Sequence, residues 1–226
     1  MFNNYAKSEL ELMVGSNEEI LWKGKPNKRC FILEGIFNPM LPFALVWFLF
    51  DSMFIAAFLG GETISKTPTA FTIIPIIFFL FHLMPVWIYL GGIIFVFRRY
   101  KNTEYIVTDK GVYYSGGLFS YTCNMKPFTE LARVNIHRGI IDQIIGVGDV
   151  VLTSNNIADY CDSDVRVNGR PVGTGFGITI SDIKDYRKVF ELIKKLQEDI
   201  YTDTMYPNAL RPEENQGYRT KYNGLN

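Results

Sequence analysis

Two ionisable residues, Asp51 and His82, lie inside long apolar runs of this sequence. An ionisable side chain surrounded by apolar residues is costly, so such residues usually have a partner or a function. If the two runs are helices, the pair could share a structural hydrogen bond or line a proton or ion path. One carboxylate and one imidazole make a thin path, so the sequence favours the structural hydrogen bond.

A second group of candidate ligands is an acidic segment that contains Asp159, Asp162 and Asp164, with Cys161 between them. The carboxylates could bind a cation, but the segment lacks the glycine and the final glutamate of an EF-hand loop. The three cysteines of the chain form no CxxC pair, so neither a zinc ribbon nor a disulfide framework is supported. We therefore predict a solvated acidic loop and no metal site.

Two glycine-rich stretches, Gly173–Gly177 (GTGFG) and Gly146–Gly148 (GVG), superficially suggest phosphate loops. A phosphate loop requires a helix directly after its glycines, because the helix N-terminus binds the anion. Both stretches are followed by strand-like sequence instead. We therefore predict ordinary loops, and no nucleotide or other cofactor.

Catalysis by a nucleophile would require a serine or cysteine beside a histidine and an acid. His137 is the one histidine outside the apolar runs, and it falls on the polar side of a strand-like pattern next to Arg138. No nucleophile motif surrounds it. We therefore predict no catalytic residues and no enzymatic activity.

The charge of the chain excludes another class of function. Lysine and arginine number 23 and aspartate and glutamate number 23, so the formal net charge is zero. Nucleic-acid binders generally carry a net basic surface. We therefore predict no nucleic-acid partner.

The apolar runs that hold Asp51 and His82 are Leu41–Leu59 and Phe71–Phe97. About 20 mostly apolar residues cross a bilayer, whereas the apolar run of a buried soluble helix rarely exceeds ~14. The eleven residues between the runs can only turn the chain back. We therefore predict a transmembrane helical hairpin over residues 35–100, with spans at about 37–59 and 71–97. Pro85 lies within the second span and is expected to kink it.

Basic residues indicate the orientation, because Lys and Arg concentrate on the cytoplasmic side of a membrane. They flank the two runs, and the connecting loop holds only Lys66. The flanking basic residues are Lys23, Lys25, Lys28 and Arg29 before the first run, and Arg98, Arg99 and Lys101 after the second. We predict a cell-membrane protein with a cytoplasmic N-terminal segment (1–34) and a cytoplasmic C-terminus. The polar first 30 residues exclude a signal peptide.

From Lys101 to Ile200, short strand-like segments alternate with turn signals. The predicted strands are Thr103–Thr108, Val112–Ser115, Phe119–Lys126, Leu131–His137, Asp149–Ser154 and Phe176–Ile180. In the fourth of these, Val134 and Ile136 fall on the face expected to be buried. Ser181 and Asp182 are predicted N-caps of a final helix with one apolar stripe. Hairpins followed by one helix indicate an α+β domain at 101–200, with a flexible tail at 201–226.

Several short motifs occur in an order that carries a resemblance. They are Val107-Thr108 before a turn, Gly117-Leu118-Phe119, Pro127 ahead of Leu131–Val134, and Ile145–Gly148 before a strand. Together with the polar lead-in Glu18–Pro26 and the hairpin, this order resembles the bacterial pleckstrin-homology (PH) domain family of membrane proteins over residues 18–196. The resemblance implies a strongly bent antiparallel sheet of about seven strands, capped by a C-terminal helix, and it implies no defined ligand.

Eukaryotic relatives of this fold often bind phosphoinositides through basic residues beside the first hairpin turn. At that turn this sequence offers Lys110 beside Asp109, so phosphoinositide binding is not supported. Residues 155–175 depart from the family pattern and are predicted to form an extra hairpin that turns at Asn168-Gly169.

The sequence thus predicts a membrane-anchored interaction or scaffold module that associates with itself or with a protein partner. Two alternatives stay open. Arg98, Arg99 and Lys101 could bind anionic lipid headgroups, although they equally serve topology. Asp51 and His82 could line a path in an oligomeric transport component.

Overall fold

The computed structural model describes residues 8–60, 69–154, 166–167, 170–171 and 177–205. The acidic segment at 155–165, Lys66, Phe176 and residues 206–226 lie outside the described residues. The chain divides into two compact units. The sheet unit comprises the described residues up to Phe31 and from Arg99 onwards, and the helical unit comprises Ile32–Arg98.

The first sheet of the sheet unit has four antiparallel strands in chain order. They are β1 (Ile20–Gly24), β2 (Glu104–Thr108), β3 (Gly111–Gly116) and β4 (Thr122–Pro127). The sequence treated residues 1–34 as a separate segment, whereas the structure pairs β1 with β2, with Gly24 opposite Tyr105. Lys23 of β1 forms an ion pair with Glu104 of β2 at 3.2 Å. A basic residue attributed to membrane topology therefore has a structural partner.

The second sheet has three antiparallel strands. They are β5 (Leu131–His137), β6 (Gly148–Ser154) and β9 (Gly177–Ile183), with β6 in the middle. Between β6 and β9, strands β7 (Arg166–Val167) and β8 (Arg170–Pro171) pair with each other, with Val167 opposite Arg170, whereas the turn predicted at Asn168-Gly169 lies outside the described residues. The α+β class is confirmed, with two sheets of four and three strands.

The helices were partly predicted. In chain order they are α1 (Glu9–Leu12), α2 (Lys28–Ile36), α3 (Met40–Gly60), α4 (Thr69–His82), α5 (Met84–Asn102), α6 (Ile140–Ile145) and α7 (Tyr186–Met205), with a 3-10 turn at Phe128–Glu130. The prediction that Ser181 and Asp182 cap the final helix was wrong. Both residues belong to β9, and α7 begins only at Tyr186. The Asp182 N–H donates to the Asp149 carboxylate of β6 at 2.9 Å, which ties the residue to the sheet.

The main core lies between the two sheets and α7. It contains residues of β2 and β3 (Tyr105, Val107, Val112), of the second sheet (Val150, Leu152, Ile178, Ile180) and of α7 (Tyr186, Val189, Ile193, Leu196). The opposite face of β2 is covered as well, because Ile106 packs with Leu10 of α1. Strand β2 is therefore buried on both faces.

The alternation in β5 predicted a buried Ile136, and this prediction was wrong. Val134 is half-buried against the core, whereas 40% of Ile136 is exposed. β5 stands at the edge of its sheet and pairs only with β6 among the described strands, so its outer residues have less protein to cover them.

The helical unit contains one described helix, Met40–Phe58, that is long and apolar enough to cross a membrane by itself. The second predicted span is a pair of helices, α4 and α5, whose axes bend by 53° at a short break. The kink expected at Pro85 is thus present, since Pro85 is the second residue of α5.

Burial of Tyr105 generates a prediction about pH. Desolvation raises the pKa of this phenol to about 12, although hydrogen bonds with Ser181 act in the opposite direction. The unfolded chain releases the same proton near pH 10, so the folded state loses roughly 2–3 kcal/mol of stability as the pH rises from about 10 to 12. In a spectroscopic titration, the difference between wild type and Tyr105→Phe gives the tyrosinate absorbance of Tyr105 itself. This absorbance should appear near pH 12, and its appearance near pH 10 would contradict a buried Tyr105.

Candidate functional site

Asp51 and His82, the two ionisable residues of the apolar runs, come together in the helical unit. The Nδ1 atom of His82 lies 2.8 Å from Oδ1 of Asp51, and only 1% of the Asp51 side chain is exposed. At this distance the imidazole can donate to the carboxylate. The other carboxylate oxygen, Oδ2, has no hydrogen-bond partner among the described residues.

Trp47 belongs to the same cluster. It precedes Asp51 by four residues on α3, so both side chains project from one face of the helix. Its Nε1 donates to the backbone oxygen of His82 at 2.7 Å, and its ring stacks on the imidazole with 5.1 Å between centroids. Phe78 also stacks on the His82 ring, again at 5.1 Å.

The break after His82 explains why an indole is needed there. Pro85 has no N–H to donate, and the N–H groups of Val86 and Trp87 both turn to the oxygen of Leu83 at 2.9 and 3.1 Å. The carbonyl of His82 therefore lacks its usual helical donor, and Trp47 supplies one. Trp87 does the same for Leu80, donating its Nε1 to that oxygen at 3.1 Å. In apolar surroundings such freed carbonyls must find donors.

The basic residues after the second apolar run occupy the last turns of α5. Arg98 and Lys101 are exposed, and Arg99 is half-buried. Arg98 and Lys101 are three positions apart, so they share one face of the helix. The hydroxyl of Thr103, the residue after α5, donates to the Arg99 oxygen at 2.9 Å. Their role as lipid or topology contacts stays a prediction.

The turn between β2 and β3 has acidic neighbours that the sequence did not reveal. The Glu18 carboxylate accepts hydrogen bonds from Thr108 at 3.0 Å and from the Tyr113 hydroxyl at 3.1 Å. Burial, followed by the Glu18 charge, raises the pKa of Tyr113. The Asp109 carboxylate accepts from the Glu19 N–H at 3.0 Å. Lys110 is therefore flanked by carboxylates, which makes this turn a poor place for a headgroup phosphate.

A second cluster of buried polar side chains lies around α6. The Asp142 carboxylate is fully buried and accepts from the Gly139 N–H at 2.6 Å and from the Cys30 thiol at 3.1 Å. His137 and the buried Asp149 lie close enough to share a metal ion with Asp142. Each carboxylate already accepts backbone hydrogen bonds, so capping of α6 and support of β9 account for the arrangement.

The cluster at the helix break generates a prediction about stability. Trp47→Phe keeps an aromatic ring but leaves the His82 carbonyl without its donor, which should destabilise the chain by about 1–2 kcal/mol. Thermal unfolding of the full chain in detergent micelles measures the change. Met53→Leu, on an exposed part of the same helix, is the control and should leave the midpoint unchanged. Equal midpoints for the two variants would show that the indole donor is unimportant.

Comparison with known proteins identifies the scaffold that carries these groups. The family description "bacterial PH domain" matches residues 52–197, more than half of the chain. No curated protein and no solved structure matches it. The matched region includes every described strand except β1, the first twelve residues of α7 and most of the helical unit, so the resemblance suggested by the ordered motifs is confirmed. The chain belongs to the bacterial PH domain family.

Proposed function

We propose that this protein is a membrane-anchored, non-enzymatic interaction or scaffold module at the cytoplasmic face of the membrane. The observation that carries the proposal is a PH-like binding domain whose own chain contains a helix apolar enough to cross a bilayer. In this proposal the helical unit anchors the chain, and the sheet unit binds a protein partner or a second copy of itself.

The pairing of β1 with β2 supports two crossings and two cytoplasmic ends. β1 precedes the helical unit and β2 follows it, yet the strands share a register from Ile20 to Gly24. Paired strands lie on one side of a membrane, so the chain between them crosses an even number of times. Helix α3 supplies one crossing of about 30 Å, and the bent pair α4–α5 is the candidate for the return. The flanking Lys and Arg residues favour the cytoplasm for both ends.

Two edge strands support the proposal that the sheet unit binds a protein partner. β4 and β5 each stand at the edge of a sheet, with one described neighbour apiece. An edge strand offers main-chain groups to which a strand of another chain can add, and exposed side chains give the specificity. Ile136 on β5 and Met125 on β4 are exposed apolar residues at these edges, at 40% and 37%.

Sensing of anionic lipid headgroups is the alternative, supported by the exposed Arg98 and Lys101. Each basic residue near an anionic surface contributes about 1 kcal/mol. The acidic neighbours of the β2–β3 turn argue against headgroup binding at that turn, so any lipid contact belongs at the end of α5.

Partner binding predicts that a charge on the edge of β5 disrupts association. In cells, cross-linking of the full chain should yield a larger species that contains a partner or a second copy. Ile136→Lys should reduce its amount about fivefold, equivalent to ~1 kcal/mol of association energy. Leu12→Lys, at a 68% exposed residue of α1, is the control. A chain that remains monomeric in wild type would contradict the proposal.

The oligomeric transport alternative has its own test, motivated by the unpartnered Oδ2 of Asp51. If Asp51 serves only the helix break, Asp51→Asn leaves proton and cation flux in proteoliposomes at the level of lipid alone, as for wild type. The amide keeps an oxygen acceptor for His82 and loses the charge. A wild-type flux that Asp51→Asn abolishes would support transport and refute a purely structural pair.

A further inference from the structure

One end of the sheet unit lies where the chain passes to and from the helical unit. The chain leaves the sheet unit after Phe31 and returns at Arg99. The rings of Phe31 and Tyr100 are 5.9 Å apart between centroids, so the two passages lie side by side. We call this end of the sheet unit, marked by residues 30–31 and 99–102, the proximal end.

The loop between β3 and β4, residues 117–121, lies at the proximal end. The Asn102 side chain donates to the Gly117 oxygen at 3.0 Å, and the Ser115 hydroxyl donates to the Asn102 oxygen at 2.8 Å. Gly117 has a φ of 123°, and a side chain there would collide with the Ser120 carbonyl. The loop is thus a tight turn held against the last residue of α5.

This loop exposes two aromatic side chains to solvent. Phe119 is 80% exposed and Tyr121 is 40% exposed. Helix α6 adds Ile140 and Ile144, each 80% exposed and four residues apart. It too belongs to the proximal end, because its buried Asp142 accepts the Cys30 thiol hydrogen bond at 3.1 Å.

The opposite, distal end of the sheet unit differs in character. It carries the β2–β3 turn, about 20 Å away along the six residues of β3. The Lys110 oxygen accepts from the Phe128 N–H at 3.1 Å, and the Leu131 oxygen that follows accepts from Gln197 of α7 at 2.9 Å. One turn beyond Gln197 stands Tyr201, an aromatic residue with 60% exposure.

We propose that Phe119 and the β3–β4 loop, assisted by Ile140 and Ile144, insert into the interfacial layer of the same bilayer that the helical unit crosses. The inference rests on the proposed membrane anchoring. Asn102, which binds the loop, is about 6 Å along α5 from Arg98, the predicted boundary of the span. Aromatic residues favour the headgroup region, and exposed aliphatic residues gain by leaving water there. The exposed Arg98 and Lys101 add attraction to anionic headgroups.

A bilayer is the occupant favoured over a protein because the chain itself holds the loop beside it. A tethered group meets its target at high effective concentration, so a few apolar side chains suffice without a large interface. The sheet unit would then rest on the membrane through its proximal end and keep the distal end, with its acidic turn, towards the cytoplasm.

The test uses the full chain in nanodiscs of phosphatidylcholine and phosphatidylglycerol. An environment-sensitive fluorophore is attached to Phe119→Cys or, as a matched control, to Tyr201→Cys. Both variants carry Cys123→Ser and Cys161→Ser, while the fully buried Cys30 stays. Lipids with a nitroxide near the headgroup should quench the label at 119 about threefold more than the label at 201, and iodide in water should do the reverse.

A measurement without labels accompanies it. Phe119→Ser should raise amide hydrogen exchange of residues 117–121 about tenfold in nanodiscs, whereas Tyr201→Ser should leave that segment unchanged. Equal lipid quenching at 119 and 201 would overturn the proposal. A label at 119 that is shielded from both quenchers would indicate a protein contact and overturn it as well. Release of the chain by alkaline carbonate would instead refute the anchoring, so the two failures are distinguishable.

Discussion

The pairing of β1 with β2 is the contact on which the rest of the structure depends. The two strands are separated in sequence by the whole helical unit, yet Trp22 lies opposite Val107, and Lys23 bonds Glu104. Closing such a long loop costs entropy that only the contacts of the sheet can offset. β2 supplies those contacts, because both its faces are buried. Folding of the sheet unit thus fixes both ends of the helical unit at one place.

That closure imposes a requirement on the helical unit. If α3 crosses a bilayer, the return must be made by α4 and α5, although Pro85 interrupts them. A break in an apolar environment frees backbone carbonyls that water cannot reach. The indole N–H groups of Trp47 and Trp87 donate hydrogen bonds to these carbonyls. Asp51 bonds the His82 imidazole, which lies between the rings of Trp47 and Phe78. The polar residues that first suggested transport chemistry thus lie at the break itself, where Asp51 orients the His82 ring on which Trp47 stacks.

The sequence predicted what depends on local pattern and missed what depends on distant partners. The long apolar runs, the apolar stripe of α7 and the kink at Pro85 are all determined by short stretches of sequence. β1 was missed because five residues with mixed polarity form a strand only when β2 is available. Asp182 resembled a helix cap, but Asp149, far away in sequence, holds its N–H and keeps it in β9. The Asp51–His82 contact could be suggested from sequence, because ionisable residues in apolar runs need partners. The hydrogen bond of Trp47 could not, because its acceptor is a backbone oxygen.

The zero net charge acquires a physical meaning once the chain is anchored. A soluble protein that visits a membrane needs long-range attraction, and basic residues usually supply it. A domain joined to a membrane helix needs none, because the tether already sets a high local concentration. Acidic residues can then be used for structure, as Glu18 and Asp142 are, without weakening recruitment. In the proposed anchored state, short-range apolar contacts at the proximal end would orient the domain, since such contacts act only when the surface is already near.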